Sequence, residues 1–256
     1  MPSPFVKQQP GAPHGLFRWE ALGLEWLGRA TADGGARVVP VIDVDEEKIV
    51  EPRLAQCAPT RDAAETFGRQ LAATHLSGAA GFGAAPDGWR GDGFIGAAVL
   101  PMPQQPLQRW GEFYAHHRVM PFARQAHASG SLDDASLRLV EAVCERLESG
   151  EFDDGRPAAR IHGDLWAGNV MFTPQGVVLV DPAAHGGHAE TDLAMLHLFG
   201  APLLERIQSA WVEAFDPEPG WRERIGLHQL HPLLVHAVLF GGGYGRRAGQ
   251  IAADYA

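Results

Sequence analysis

The sequence predicts an α+β fold: a short β-rich lobe over residues 1–54, then a larger, mainly helical lobe over residues 55–256. Three observations carry this expectation. β-prone runs and one amphipathic helix crowd into the first fifty residues, whereas helical periodicity dominates from Thr60 onward. Between the later helices, residues 160–182 replace that periodicity with two short apolar runs around a turn, flanked by polar residues. The 256 residues are 45 % hydrophobic, ample for a sizeable core in one large domain or in two lobes around a cleft.

Phe5-Val6-Lys7 reads as a strand. Gly15 to Ala30 reads as a helix, because Phe17, Ala21, Leu24 and Leu27 fall on one face. Ala36 to Val44 and Lys48 to Glu51 read as two further strands. Thr60 is a candidate N-cap for a helix on which Phe67, Leu71 and His75 recur every four residues, and His75 reads as a packed core histidine. The Gly- and Pro-rich stretch from Ser77 to Pro106 reads as a long loop at the rim of the cleft. Further helices are expected at Pro106 to Ala128, Ser131 to Ser149, Thr191 to Phe199, Leu203 to Phe215 and His228 to Arg247.

The chemistry concentrates in Arg160-Ile161-His162-Gly163-Asp164-Leu165-Trp166-Ala167-Gly168-Asn169 and in Asp181, which follows a short hairpin. Val170-Met171-Phe172 and Val177-Val178-Leu179-Val180 flank the turn signal Thr173-Pro174-Gln175-Gly176, so the hairpin should bring Asn169 and Asp181 side by side. Asp or Asn in a loop is often only an Asx-turn or a helix cap. Here a His-x-Asp-x-x-x-x-Asn pattern followed by a second carboxylate is the set needed to move a phosphoryl group from Mg-ATP to a hydroxyl. Such a reaction spreads charge over the equatorial oxygens, so the protein mainly positions groups and neutralises charge. Asp164 would orient the attacking hydroxyl and accept its proton, and Asn169 and Asp181 offer the oxygens that suit Mg²⁺. His162 would brace the loop backbone, and Asp192 would accept its amide donors.

Residues 160 to 200, with Trp166 in the loop and Asp181-Pro182-Ala183-Ala184-His185-Gly186-Gly187-His188 behind it, resemble the fructosamine kinase (ketosamine 3-kinase) family. That family lies within the aminoglycoside phosphotransferase and choline kinase branch of the protein kinase-like fold. The likeness extends through Trp221-Arg222-Glu223-Arg224, His228 to His236 and Gly241 to Gly245, and back through Phe94-Ile95-Gly96 and Trp110 to Tyr114. The resemblance implies ATP-dependent phosphorylation of the sugar 3-hydroxyl of a ketosamine, carried by a small amine or a protein lysine, as a deglycation repair. It implies Asp164 as the base and Trp166 near the sugar. In kinase-like folds the small lobe supplies a lysine for the phosphates, held by a glutamate from its helix. Lys7 and Glu20 match that pair, with Glu25 as competitor, and Glu51 to Arg53 match the hinge whose backbone groups would bind adenine. His185 and His188 invite a zinc reading, but a glycine-flanked pair needs further ligands, so a role at the substrate or in bracing the loop is expected.

The formal charge of −10 argues against a general nucleic-acid surface, and Arg246-Arg247 reads as a solvated helix end. Cys57 and Cys144 are too few for a disulfide framework or a zinc site and read as plain thiols. The start lacks an apolar signal core and no apolar run reaches membrane-spanning length, so a cytoplasmic enzyme is expected. The sequence leaves the oligomeric state open. Only six residues precede Lys7, whereas family members carry two strands and a phosphate-covering loop there. Either the chain as given is truncated, or the loop is dispensed with, or another segment or subunit replaces it. Two alternatives to ketosamine phosphorylation follow: a different hydroxyl acceptor of the aminoglycoside or choline type, and a non-catalytic pseudokinase that binds its ligand without turnover.

Overall fold

The computed structural model describes residues 4–256. β1 (Phe5–Gln8) pairs antiparallel with β4 (Lys48–Glu51), and β4 with β3 (Asp43–Val44), giving a sheet of order β1-β4-β3. α1 (Leu16–Gly28) packs across it, burying Phe17 and Leu24 with Val39 and Ile49. The strand expected over Ala36–Val44 divides in two. Pro40 lacks an N–H and cannot sit in a continuous ladder, so β2 (Arg37–Val38) separates from β3. β2 instead pairs parallel with β9 (Gly176–Leu179), which forms a hairpin with β8 (Val170–Thr173). The first 54 residues therefore lend a strand to the sheet of the following lobe.

α2 (Arg61–Leu76) starts where Thr60 accepts a hydrogen bond from the Ala63 amide at 3.2 Å. It lies against α7 (Leu204–Phe215) at Gly68, where a Cβ would stand 2.2 Å from the Ile207 carbonyl. The stretch 77–106 is not wholly loop: β5 (Gly93–Ile95) and β6 (Ala98–Leu100) form a hairpin. Its two-residue turn begins with Gly96 at φ +54°, the conformation that such turns demand at their first position. Trp19 of α1 donates to the Phe94 carbonyl at 2.9 Å and ties this hairpin to the small lobe.

The helix expected from Pro106 begins at Trp110: α3 (Trp110–Tyr114) runs through a π-turn, Ala115–Val119, into α4 (Met120–Ala128). α5 (Asp134–Ser149) is capped by Asp133 and ends at Gly150. α6 (Ala189–Phe199) follows the strands. The single helix expected over His228–Arg247 is two, α8 (Trp221–Phe240) and α9 (Tyr244–Tyr255), because Gly241 and Gly242 both take positive φ and break it. Arg246 and Arg247 accordingly lie exposed in the first turn of α9. Pro232 leaves the His228 carbonyl without its helical donor. The Tyr114 hydroxyl, 2.9 Å away, serves it instead. Among the described residues no helix is long and apolar enough to cross a membrane.

β7 (Ala159–Ile161) pairs antiparallel with β10 (His185–Gly187), with Ile161 opposite His185. The residues after β7 and those before β10 must then lie together. That topology brings the 162–169 loop and the 180–184 loop to one end of the strands, facing the small lobe.

Candidate active site

Asn169 links the two loops. Its side-chain amide donates to the Asp164 carbonyl at 2.8 Å, to Asp164 Oδ2 at 3.4 Å and to the Asp181 carbonyl at 3.3 Å. The two N–H groups of its amide are shared among these three acceptors, so its carbonyl oxygen is left for another ligand. Asp181 adopts φ +54°, a left-handed conformation that costs a non-glycine residue of the order of 1 kcal/mol and that aspartate tolerates better than most. Lys7 Nζ bridges Glu20 Oε2 at 2.8 Å and Asp181 Oδ1 at 3.1 Å. Glu25 pairs instead with Arg29 at 3.1 Å on the surface and lines a separate hollow behind α1. The carboxylate that meets Lys7 is Glu20.

Behind the loop, Asp192 is fully buried. One of its oxygens accepts the His162 amide at 2.8 Å and the other the Gly163 amide at 2.9 Å. His75 donates Nε2–H to the same carboxylate at 3.1 Å and accepts from Trp211 Nε1 at 2.9 Å. His162 donates from Nε2 to the Val180 carbonyl at 2.9 Å and accepts the Asp164 amide on Nδ1 at 3.3 Å, so one ring stitches both loops. His75 is the packed histidine its spacing suggested, and it also supports the polar loop.

The carboxylates are crowded. Burial first, then the charges of Asp181 and Asp192, push Asp164 up to about 7. Glu20 is likewise pushed to about 7 by burial, against the pull of Lys7. Glu51, 3 % exposed and with Oε1 unpartnered, reaches about 7 through burial and the charges of Glu20 and Asp181. Burial opposes the charge on Lys7, yet Glu20 and Asp181 raise it. Asp192 is held low: burial disfavours its charge, and the His75 hydrogen bond overcomes that.

Two hollows meet at Asp181. One, of about 290 Å³, is lined by Lys7, Glu20, Trp19, Phe94, Asp164 and Trp166, among others. The other, of about 360 Å³, has Phe5, Leu54, Met171 and Val180 in its walls beside the polar Glu51, Arg53 and Gln56. Trp166 is 44 % exposed and folds over Gly168, where a Cβ would meet the indole at 2.3 Å.

His185 and His188, expected at the substrate, do not reach this cleft. His185 is 3 % exposed, between the Ala183 carbonyl and Arg118. His188 is 4 % exposed, caps α6 by accepting the Glu190 amide, and donates to Asp154 at 3.1 Å. β10 is covered on both faces, so both imidazoles are used inside the protein. His188, Glu190 and His228 do bring ligand-type atoms within 4.8 Å of one another. However, the Arg224 guanidinium sits on Glu190 at 2.5 and 2.9 Å, a cation where a metal would need the carboxylate. Sequence reasoning gives no role to Asp154, Glu190, Arg224 and Arg118, which only the fold brings around the two histidines.

The family model described as fructosamine kinase matches residues 2–255. A probable ketoamine kinase of Synechocystis is 32 % identical, over 96 % of this chain and 81 % of its own length. A protein-ribulosamine 3-kinase, chloroplastic, of Oryza sativa is 30 % identical, over 98 % of this chain and 72 % of its own. A solved structure from Thermobifida fusca, assigned to the fructosamine-3-kinases, is 47 % identical and superposes with a TM-score of 0.89 over 98 % of this chain and 84 % of that one. The aminoglycoside phosphotransferase APH(4)-Ia shares only 16 % identity at a TM-score of 0.57, which shows the common kinase-like fold. With a match along essentially its whole length, and with the Asp164, Asn169 and Asp181 loops converging on one cleft, the chain belongs to the fructosamine kinase family.

Proposed function

We propose that the protein transfers the γ-phosphoryl group of ATP to the sugar 3-hydroxyl of a ketosamine, on a free amine or a protein lysine, as a deglycation repair in the cytoplasm. The observation that carries this reading is that Asp164 and Asp181 line one cavity and are bridged by a single Asn169 amide. In this reading Asp164 orients the acceptor hydroxyl and takes its proton, and Trp166 offers its exposed face to the sugar. Lys7, held between Glu20 and Asp181, presents N–H donors to the phosphates. The hollow beside Glu51, walled by Phe5, Leu54, Met171 and Val180, takes adenine against the hinge, residues 51–53. His162 and Asp192 keep the loop backbone in place rather than touching substrate.

Magnesium fits the donors present. Asn169 keeps a free carbonyl oxygen and the Asp181 side chain is 42 % exposed toward the cleft, and both are the hard oxygen ligands this ion takes. When bound, the ion neutralises phosphate charge.

The test is ATP consumption with fructosyl-lysine and ribulosyl-lysine, beside Asp164→Asn. The substitution should lower kcat by about 10²–10⁴-fold, the usual contribution of a positioned base. Undiminished turnover would remove Asp164 from that role, and no turnover of either ketosamine by the parent would overturn the acceptor assignment.

A further inference from the structure

Arg118 lies outside the cleft, is 1 % exposed, and has no carboxylate in salt-bridge contact among the described residues. Its Nε donates to His185 Nε2 at 3.3 Å and its Nη1 to the Pro101 and His117 carbonyls at 2.7 Å each. Nη2 reaches Met102 Sδ at 3.4 Å, and the guanidinium stands 4.5 Å over the Phe113 ring. A buried cation without an anion is costly: burial pulls this arginine down to about 9. It sits in the π-turn between α3 and α4, a rare irregularity that recurs at functional sites.

A guanidinium can only donate, so His185 must meet it with a lone pair on Nε2 and carry its proton on Nδ1. Nδ1–H then donates to the Ala183 carbonyl at 2.8 Å. That carbonyl is also the surface on which Gly163 rests, since a Cβ at 163 would stand 2.3 Å from it. It is thus a third contact between the loop carrying Asp164 and the loop carrying Asp181, beside those of Asn169 and His162. Asp181 is itself in a strained conformation that needs outside restraint. Through Pro101 and Met102, the same arginine grips the chain just after β6, whose hairpin supplies Phe94, Gly96 and Ala97 to the opposite wall of the cleft.

We propose that Arg118 and His185 are positioning residues: Arg118 fixes the tautomer of His185, and His185, through the Ala183 carbonyl, sets the separation of Asp164 and Asp181. The consequence for turnover rests on the phosphotransfer reading above. The test therefore also reads magnesium directly, as the concentration that half-saturates binding of a non-hydrolysable ATP analogue.

His185→Asn keeps an N–H where Nδ1 stands and gives up the acceptor. His185→Gln places an acceptor at Nε2 and leaves the Ala183 carbonyl unserved. We expect His185→Gln to raise half-saturating magnesium and lower kcat by about 10–100-fold, the range seen when supporting hydrogen bonds behind a metal site are lost. His185→Asn should stay within about 5-fold of the parent on that scale. Arg118→Lys, which keeps the charge and loses the planar fork, should move both readings in the same direction as His185→Gln. If Gln and Asn behave alike, or if all three variants lower only the thermal midpoint, the inference is wrong. A parent that binds no magnesium-nucleotide sinks the phosphotransfer reading and this inference together; a parent that binds it while the variants match overturns this one alone.

Discussion

Glu51→Gln should stabilise the protein above pH 7 and leave it unchanged below pH 4. The Glu51 carboxyl is almost wholly buried, its Oε1 has no partner, and Glu20 and Asp181 repel its charge. Its folded-state value of about 7 lies above the ordinary 4.5. Between those pH values the native state holds a proton that the unfolded chain has released. Stability therefore falls as pH rises from 4.5 to 7 and then levels. At 1.36 kcal/mol per pH unit that interval corresponds to about 3 kcal/mol, and to about 2 kcal/mol once water in the open cleft screens the charges. Glutamine matches the neutral acid in shape and never ionises. Denaturant unfolding of the apo-protein at pH 4, 6 and 8 should give equal stabilities at pH 4. At pH 8 the variant should lead by about 2 kcal/mol, with unchanged m-values. Parallel curves at every pH, or a parent that gains on the variant as pH rises, would refute the repulsion argument.

The same crowding predicts the pH dependence of turnover. kcat/KM, which reports the free enzyme, should fall about tenfold per pH unit below about 7 as Asp164 takes up its proton; a flat profile down to pH 5 would remove Asp164 as the titrating base. Gly163→Ala combines φ +80° with a Cβ 2.3 Å from the Ala183 carbonyl, whereas Gly34→Ala has a left-handed φ of +87° and open space. The first should cost about 2 kcal/mol or more and depress kcat through the adjacent Asp164, the second about 1 kcal/mol with kcat intact. Equal costs in denaturant melts would show that the two loops are not held by that contact.

Much of the fold and the candidate site was legible because the signals are local. His162, Asp164, Asn169 and Asp181 sit within twenty residues, around a hairpin whose turn chemistry and apolar runs dictate how its ends meet. Periodicity likewise located α1, α2, α5, α6 and α7 to within a few residues. Punctuation marks were under-read: Pro40 splits a strand, Gly96 turns a hairpin inside an apparent loop, and Gly241-Gly242 divide a helix. Composition alone does not say whether such a residue ends an element or bends it.

Spacing determined which residue types face the chemistry. It could not determine which distant groups hold them there. That Glu20 rather than Glu25 meets Lys7 follows from the rotation of α1 on its sheet. That His185 and His188 turn into the protein follows from what packs over them: Phe113 of α3 lies against His185, and Trp110 of α3 and His228 of α8 lie against His188. The supports of the site, Trp211 through His75 to Asp192 and Arg118 through His185 to Ala183, span 136 and 67 residues of sequence. Each buried donor takes whatever acceptor the packed helices bring within about 3 Å, and that choice is made only when the core closes.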